Sequence, residues 1–124
     1  MLKILTLAIA LLVLPAVSAS GQDFDKGLAA AQRGDFATAL REWTPLAEQG
    51  DADAQFNLGL MFGEGLGVAQ DSIRALMWFT ISASSGNETA AKGRDMVVKQ
   101  ATPAQIAKAQ DLARECVAKN YKGC

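Results

Sequence analysis

Two stretches decide the fold: Asp35-Phe36-Ala37-Thr38-Ala39-Leu40-Arg41-Glu42-Trp43-Thr44-Pro45-Leu46-Ala47-Glu48-Gln49-Gly50-Asp51-Ala52-Asp53-Ala54 and Asp71-Ser72-Ile73-Arg74-Ala75-Leu76-Met77-Trp78-Phe79-Thr80-Ile81-Ser82-Ala83-Ser84-Ser85-Gly86-Asn87-Glu88-Thr89-Ala90. They lie 36 residues apart and agree at Asp35/Asp71, Ala39/Ala75, Leu40/Leu76, Thr44/Thr80, Ala47/Ala83, Gly50/Gly86 and Ala54/Ala90. Trp43 falls on Phe79, and Asp51 on Asn87. Seven identities in this 20-residue window exceed the one or two expected by chance, and a period of this length marks a stack of repeated units. A single unit cannot cover its own apolar face, so neighbouring units must bury it between them.

Within each copy the local signals spell a helix. Asp35 stands as an N-cap, Ala39, Leu40, Trp43 and Leu46/Ala47 follow at helical spacing, and Gly50 closes the segment. Asp71 opens the second copy, over Ile73 to Ser85, with Ala75, Leu76, Phe79 and Ala83 inward and Gly86 as the stop. Asn87 is placed to cap a helix running to about Lys99. Shorter helices are expected from about Phe24 to Arg33 and from Asp53 to Phe62. Pro45 removes a hydrogen bond to the Arg41 carbonyl, so a kink or an early tightening is expected there. Thr102-Pro103-Ala104-Gln105 combines an N-cap, a proline at the first helical position and a capping-box glutamine. The helix it opens carries Ile106, Ala109, Leu112, Ala113, Cys116 and Val117 on one stripe and suits the end of a stack. No segment alternates with period two, so the chain reads as all-α.

The 124 residues make one domain's worth of sequence; half are apolar, enough for a packed core. Twelve basic against thirteen acidic side chains leave a formal charge of -1, which removes the electrostatic footprint of a nucleic-acid binder. The absence of histidine excludes a Ser-His-Asp triad, a Cys-His dyad and a histidine zinc site. Lys3, the apolar run Ile4 to Leu14 and the breaker-plus-small-residue stretch Pro15-Ala16-Val17-Ser18-Ala19 have the layout of a secretory leader. The run is too short to cross a bilayer. Residues 1–19 are therefore expected to be a signal peptide cut between Ala19 and Ser20, with the product periplasmic or secreted and not stably inserted in the membrane. In an oxidising compartment Cys116 and Cys124 are expected to form a disulfide, worth roughly 2.6 kcal/mol in the chain-entropy picture.

Three further signals occur in order: Ala52-Asp53-Ala54-Gln55-Phe56-Asn57-Leu58-Gly59, then Gly63-Glu64-Gly65-Leu66-Gly67-Val68, then Asp71, Ala75 and Trp78. This stretch resembles the Sel1-like repeat, a relative of the tetratricopeptide repeat. The resemblance implies a short α-solenoid of antiparallel helix pairs across residues 20–100, in units of about 24–50 and 51–86 with a partial one at 87–99. Residues 101–124 then form a capping helix and a disulfide-closed tail. In the partial unit Arg94-Asp95 stands where Leu58-Gly59 stood, so that signature is lost. The spacing of Cys116 and Cys124 also resembles that of cysteine-rich secreted members of the family.

Chemical readings of the same residues are weaker. Gly63-x-Gly65-x-Gly67 lacks a preceding strand, departs from the dinucleotide pattern at Val68 and has no Lys-Ser/Thr after it. Asp51, Asp53 and Glu64 read as a solvated edge rather than a metal or acid/base site. Some secreted relatives are linked to penicillin binding or β-lactam hydrolysis, but no Ser-x-x-Lys pair is present. No catalytic residue, metal or cofactor is expected, and the reading is a non-catalytic module for protein–protein interaction. By resemblance to tetratricopeptide units, Asp53, Phe56 and Leu60 face a protein or peptide partner, with Glu64 at the rim. The alternative for Phe56 and Leu60 is packing against Phe24 and the next unit. The alternative function is a cell-envelope enzyme or binding protein acting on peptidoglycan or β-lactam-type ligands.

Overall fold

The computed structural model describes residues 23–124, so the signal peptide expected at residues 1–19, with its cut between Ala19 and Ser20, lies outside the described residues. Six helices follow one another: α1 (Phe24–Gln32), α2 (Phe36–Glu48), α3 (Ala52–Glu64), α4 (Ser72–Ser84), α5 (Glu88–Gln100) and α6 (Pro103–Ala118). No strand occurs among the described residues, and the fold is an all-α helical-repeat solenoid.

Each helix starts on a short polar side chain that accepts a hydrogen bond from a backbone N–H of its first turn. The caps are Asp23, Asp35, Asp51, Asp71, Asn87 and Thr102. The Thr102 capping box forms in full, with Gln105 N–H donating to Thr102 Oγ1 at 3.2 Å and Thr102 N–H to Gln105 Oε1 at 2.9 Å. Three links share one design. In Gly34-Asp35, Gly50-Asp51 and Gly86-Asn87 the glycine takes a positive φ, and the residue after it donates back to the carbonyl five positions earlier. That same residue then caps the next helix, so a single step ends one helix and begins the next. The link from α3 to α4 is longer, and Gly67 (φ 70°) lies against the backbone of Phe36; a Cβ there would stand 3.0 Å from its carbonyl.

Several boundaries differ from the sequence reading. The helix expected over Asp53–Phe62 begins at Ala52, because Asp51 is its cap, and extends to Glu64. Glu64 is thus the last helical residue. α2 continues through Pro45 to Glu48. Its last turn tightens, with Gln49 N–H shared between the Pro45 and Leu46 carbonyls. Arg33 and Ser85 share their N–H groups in the same way without a nearby proline, so the tightening belongs to the glycine link. Val117, expected on the inward stripe of α6, is 48% exposed.

The main core joins Trp43, Leu58, Met61, Met77, Trp78 and Ile81 with small alanines from α1, α2 and α3, and with Ala113 and Cys116 of α6. Trp43 donates from Nε1 to the Phe24 carbonyl at 3.1 Å, which satisfies the indole's polar edge while its ring is buried. A second cluster of Ala75, Phe79 and Ala90 gathers Phe56, Leu60 and Val97 around it. Buried polar groups tie neighbouring helices: Gln55 Nε2 donates to the Ala47 carbonyl at 3.1 Å and Ser82 Oγ to the Ala52 carbonyl at 2.6 Å.

Consecutive helices pack on each other from α1 to α5, whereas α6 packs on α4. The Cys116–Cys124 disulfide, with its Cα atoms 5.6 Å apart, closes the chain after α6. Asn120 and Tyr121 both adopt positive φ, and Tyr121 N–H returns to the Cys116 carbonyl at 2.8 Å. This turn sends the Tyr121 ring against Gly50 and the main core, and Lys122 Nζ to the Glu48 carbonyl at 3.2 Å. The tail therefore runs from the last helix back to the end of α2.

Candidate functional site: a groove between α3 and α5

The expected partner-facing residues all lie on α3, but they do different things. Asp53 sits in the first turn and accepts from Asn87 Nδ2 at 3.0 Å, which joins the start of α3 to the start of α5. Phe56 is half-buried and packs its ring on Phe79, with centroids 5.7 Å apart. Phe24, offered as its packing partner, instead meets Trp43 at 5.8 Å. Leu60 is half-buried against the second cluster and also lines a groove. Glu64 is exposed at the same groove. Eleven helical positions separate Asp53 from Glu64, roughly 16 Å along the axis, so the two carboxylates belong to opposite ends of the face.

The groove has a volume of about 310 Å³. Leu60, Gly63 and Glu64 form its α3 side, Phe79 of α4 its floor, and Gly93, Met96, Val97 and Gln100 its α5 side. The α5 set sits at i, i+3, i+4 and i+7, one face of the helix. Glu64 is the one charged residue on this lining. Met96 is 68% exposed, a large polarizable thioether offered to solvent beside an apolar floor.

Two glycines bring the walls close to the floor. A Cβ on Gly59 would lie 2.6 Å from the Phe79 ring, and one on Gly93 3.2 Å from the same ring. The close approach thus persists in the third unit although the Leu-Gly signature does not, because Gly93 takes the role two residues before the expected register. The α5 wall was missed from sequence, yet its signal was present: the 36-residue offset carries Leu60 onto Met96.

Asp51, grouped with Asp53 and Glu64 on sequence grounds, accepts from Ala54 N–H at 2.8 Å as the α3 cap. The three carboxylates therefore cap a helix, clasp Asn87 and edge the groove, respectively. No helix among the described residues is long and apolar enough to cross a membrane.

No curated protein matches the chain. Residues 52–87 match the family model of the Sel1 repeat, from the first residue of α3 through the glycine turn and α4 to the cap of α5. The matched segment spans one full period of the internal 36-residue repeat.

Proposed function

We propose that this protein is an exported, non-catalytic interaction module whose α3/α5 groove receives a segment of a partner protein in the periplasm or outside the cell. The observation that carries the reading is the groove itself: Leu60 and Val97 beside an exposed Met96, over the Phe79 floor. An apolar channel of this kind takes the side chains of a helix or an extended peptide. Glu64 at the rim favours a partner with a basic residue at that end, while Asp53 holds the groove's walls in place through Asn87. Export is supported by the leader pattern of residues 1–19 and by the Cys116–Cys124 bond, which suits an oxidising compartment.

The test is site-specific photo-cross-linking in the native cell, with the reactive group at Leu60 or Met96 and a control at the exposed Ala37 of α2. The expected result is one polypeptide recovered from both groove positions and absent from the control, with purified chains beginning at Ser20. Recovery of the same products from all three positions, or turnover of muropeptides or β-lactams by the purified protein, would overturn the reading.

A further inference from the structure

The helices α5 and α6 diverge from the short link Ala101-Thr102, and both rest on α4 instead of on each other. Over α4 they leave a cleft that α5 and α6 both wall near the link and that continues between α4 and α6, on the other side of α5 from the Leu60/Met96 groove. Two adjoining hollows make it up, sharing Thr80 and Gln110. The one nearer the link, about 250 Å³, lies between Val98 and Ile106. The other, about 390 Å³, is walled by α4 and α6 and continues past Ile81 to Val117. From Ile106 to Val117 the cleft follows α6 for roughly 16 Å, about three helical turns. Val98 and Val117, 37% and 48% exposed, leave apolar surface uncovered on both of its walls.

The charge of this cleft is one-signed. Arg94 stands on the α5 wall and Arg114 on the α6 wall, and no carboxylate lines either hollow. Their own-helix partners, Asp95 and Asp111, are exposed side chains that do not line the cleft. Exposed pairs of this kind are weak, and each guanidinium has donors left for a second carboxylate. The Leu60/Met96 groove, by contrast, carries Glu64 as its charged residue. α5 thus separates two apolar channels of opposite sign.

We propose that the α5/α6 cleft docks an acidic amphipathic helix of a protein partner. Its apolar stripe lies on α4 between Val98 and Val117, and its carboxylates meet Arg94 and Arg114. The shape supplies a seat of helical length, the exposed valines supply the apolar contact, and the two arginines select the sign of the partner. This surface is separate from the groove of the proposed function, and either can fail alone.

The experiment uses the purified protein and two labelled sixteen-residue synthetic probes. One has leucines at i, i+4, i+7 and i+11 with glutamates elsewhere, and the other has lysines in place of the glutamates. Fluorescence anisotropy at low salt measures affinity, and amide shifts locate the site. The expected result is that the glutamate probe binds about tenfold more tightly than the lysine probe, the advantage two exposed ion pairs can supply. Its shifts centre on Thr80, Val98 and Gln110. The Arg94→Gln/Arg114→Gln variant removes the preference while its circular dichroism is unchanged, and Val98→Asp weakens both probes. The proposal is overturned if neither probe binds, if both bind alike to the unaltered protein, or if the shifts centre on Leu60 and Met96. It is equally overturned if sedimentation shows the protein self-associating through this cleft, with Val98→Asp restoring the monomer, because the occupant is then a second copy.

Discussion

The Phe79 ring between Gly59 and Gly93 makes a sharp test of how closely the repeat is packed. In Gly59→Ala the new methyl would stand 2.6 Å from Cδ1 and Cε1 of Phe79, whereas relaxed carbon contacts lie at about 3.5 to 4.0 Å. The ring must retreat by about 1 Å. It cannot retreat far, because Gly93 stands against it, close enough that a Cβ there would be 3.2 Å away. Overpacking of this kind costs about 1 to 3 kcal/mol. Replacing a mid-helix glycine returns up to about 1 kcal/mol through helix propensity. The net expectation for Gly59→Ala is a loss of about 1 to 2 kcal/mol, or a fall in Tm of about 5 to 15 °C for a domain of this size. Gly93→Ala needs a shift of only a few tenths of an ångström, so propensity offsets the crowding and the change is near zero. Because both methyls press on one ring, the double variant loses more than the sum of the singles. Phe79→Leu in the Gly59→Ala background costs less than it does in the unaltered chain. Urea unfolding followed by circular dichroism reads all of these. A Gly59→Ala midpoint equal to or above that of the parent, or strict additivity in the double variant, would refute the reasoning.

Three other outcomes follow from the same structure. Reduction, or Cys124→Ala, should lower stability by up to roughly 2.6 kcal/mol and release the tail. Tyr121 is the sole tyrosine, so a fluorotyrosine-labelled chain should give one fluorine resonance that moves to its free position on reduction; an unmoved resonance would mean the tail docks without the bond. The Thr38 side-chain and backbone hydrogen bonds, helped by Arg33 and Arg41, hold the Asp35 carboxyl below its usual value of 3.8. The native state therefore binds this proton less readily than the unfolded state, so the Asp35 contribution is present above the unfolded pKa and is lost as pH falls through the folded one. Urea midpoints should separate the parent from Asp35→Asn at pH 6 and converge toward acid, and parallel curves would contradict this. Gln55→Met should be within about 1 kcal/mol of neutral, since it removes the unpartnered buried Oε1 while the Ala47 carbonyl keeps its bond from Gly50 N–H. A loss well beyond that in urea unfolding would show that the Gln55 bridge is a principal tie between α2 and α3.

The helices were legible because their ends are written locally. Asp35, Asp71, Asn87 and Thr102 cap, while Gly50 and Gly86 stop, and each does so through bonds within a few residues. The start of α3 was misplaced by one residue because Asp51 and Asp53 both suit an N-cap by composition. Backbone geometry picks the first, and the second is left free for Asn87. The groove was half legible: the α3 side came from the repeat, whereas the α5 side needed the offset from Leu60 to Met96 to be followed into a unit whose glycine had moved. Where α6 would dock was not legible. Its stripe announces that it packs on something, but periodicity is silent on whether that is α5 or α4, and the choice of α4 is what turns Val117 outward and opens the cationic cleft.

Solenoids commonly grow or shrink by whole units, since each module touches only its neighbours. Here the segment from Cys116 to Cys124 lets Tyr121 reach Gly50, and it works as a gauge of how many modules fit between. Inserting one more 36-residue module after α4 would carry the gauge out of range, leaving Tyr121 without its seat and Lys122 without the Glu48 carbonyl. The stretch from α2 to α6 is thereby held at its present number of modules, and the last helix is fastened to the end of α2 instead of fraying independently.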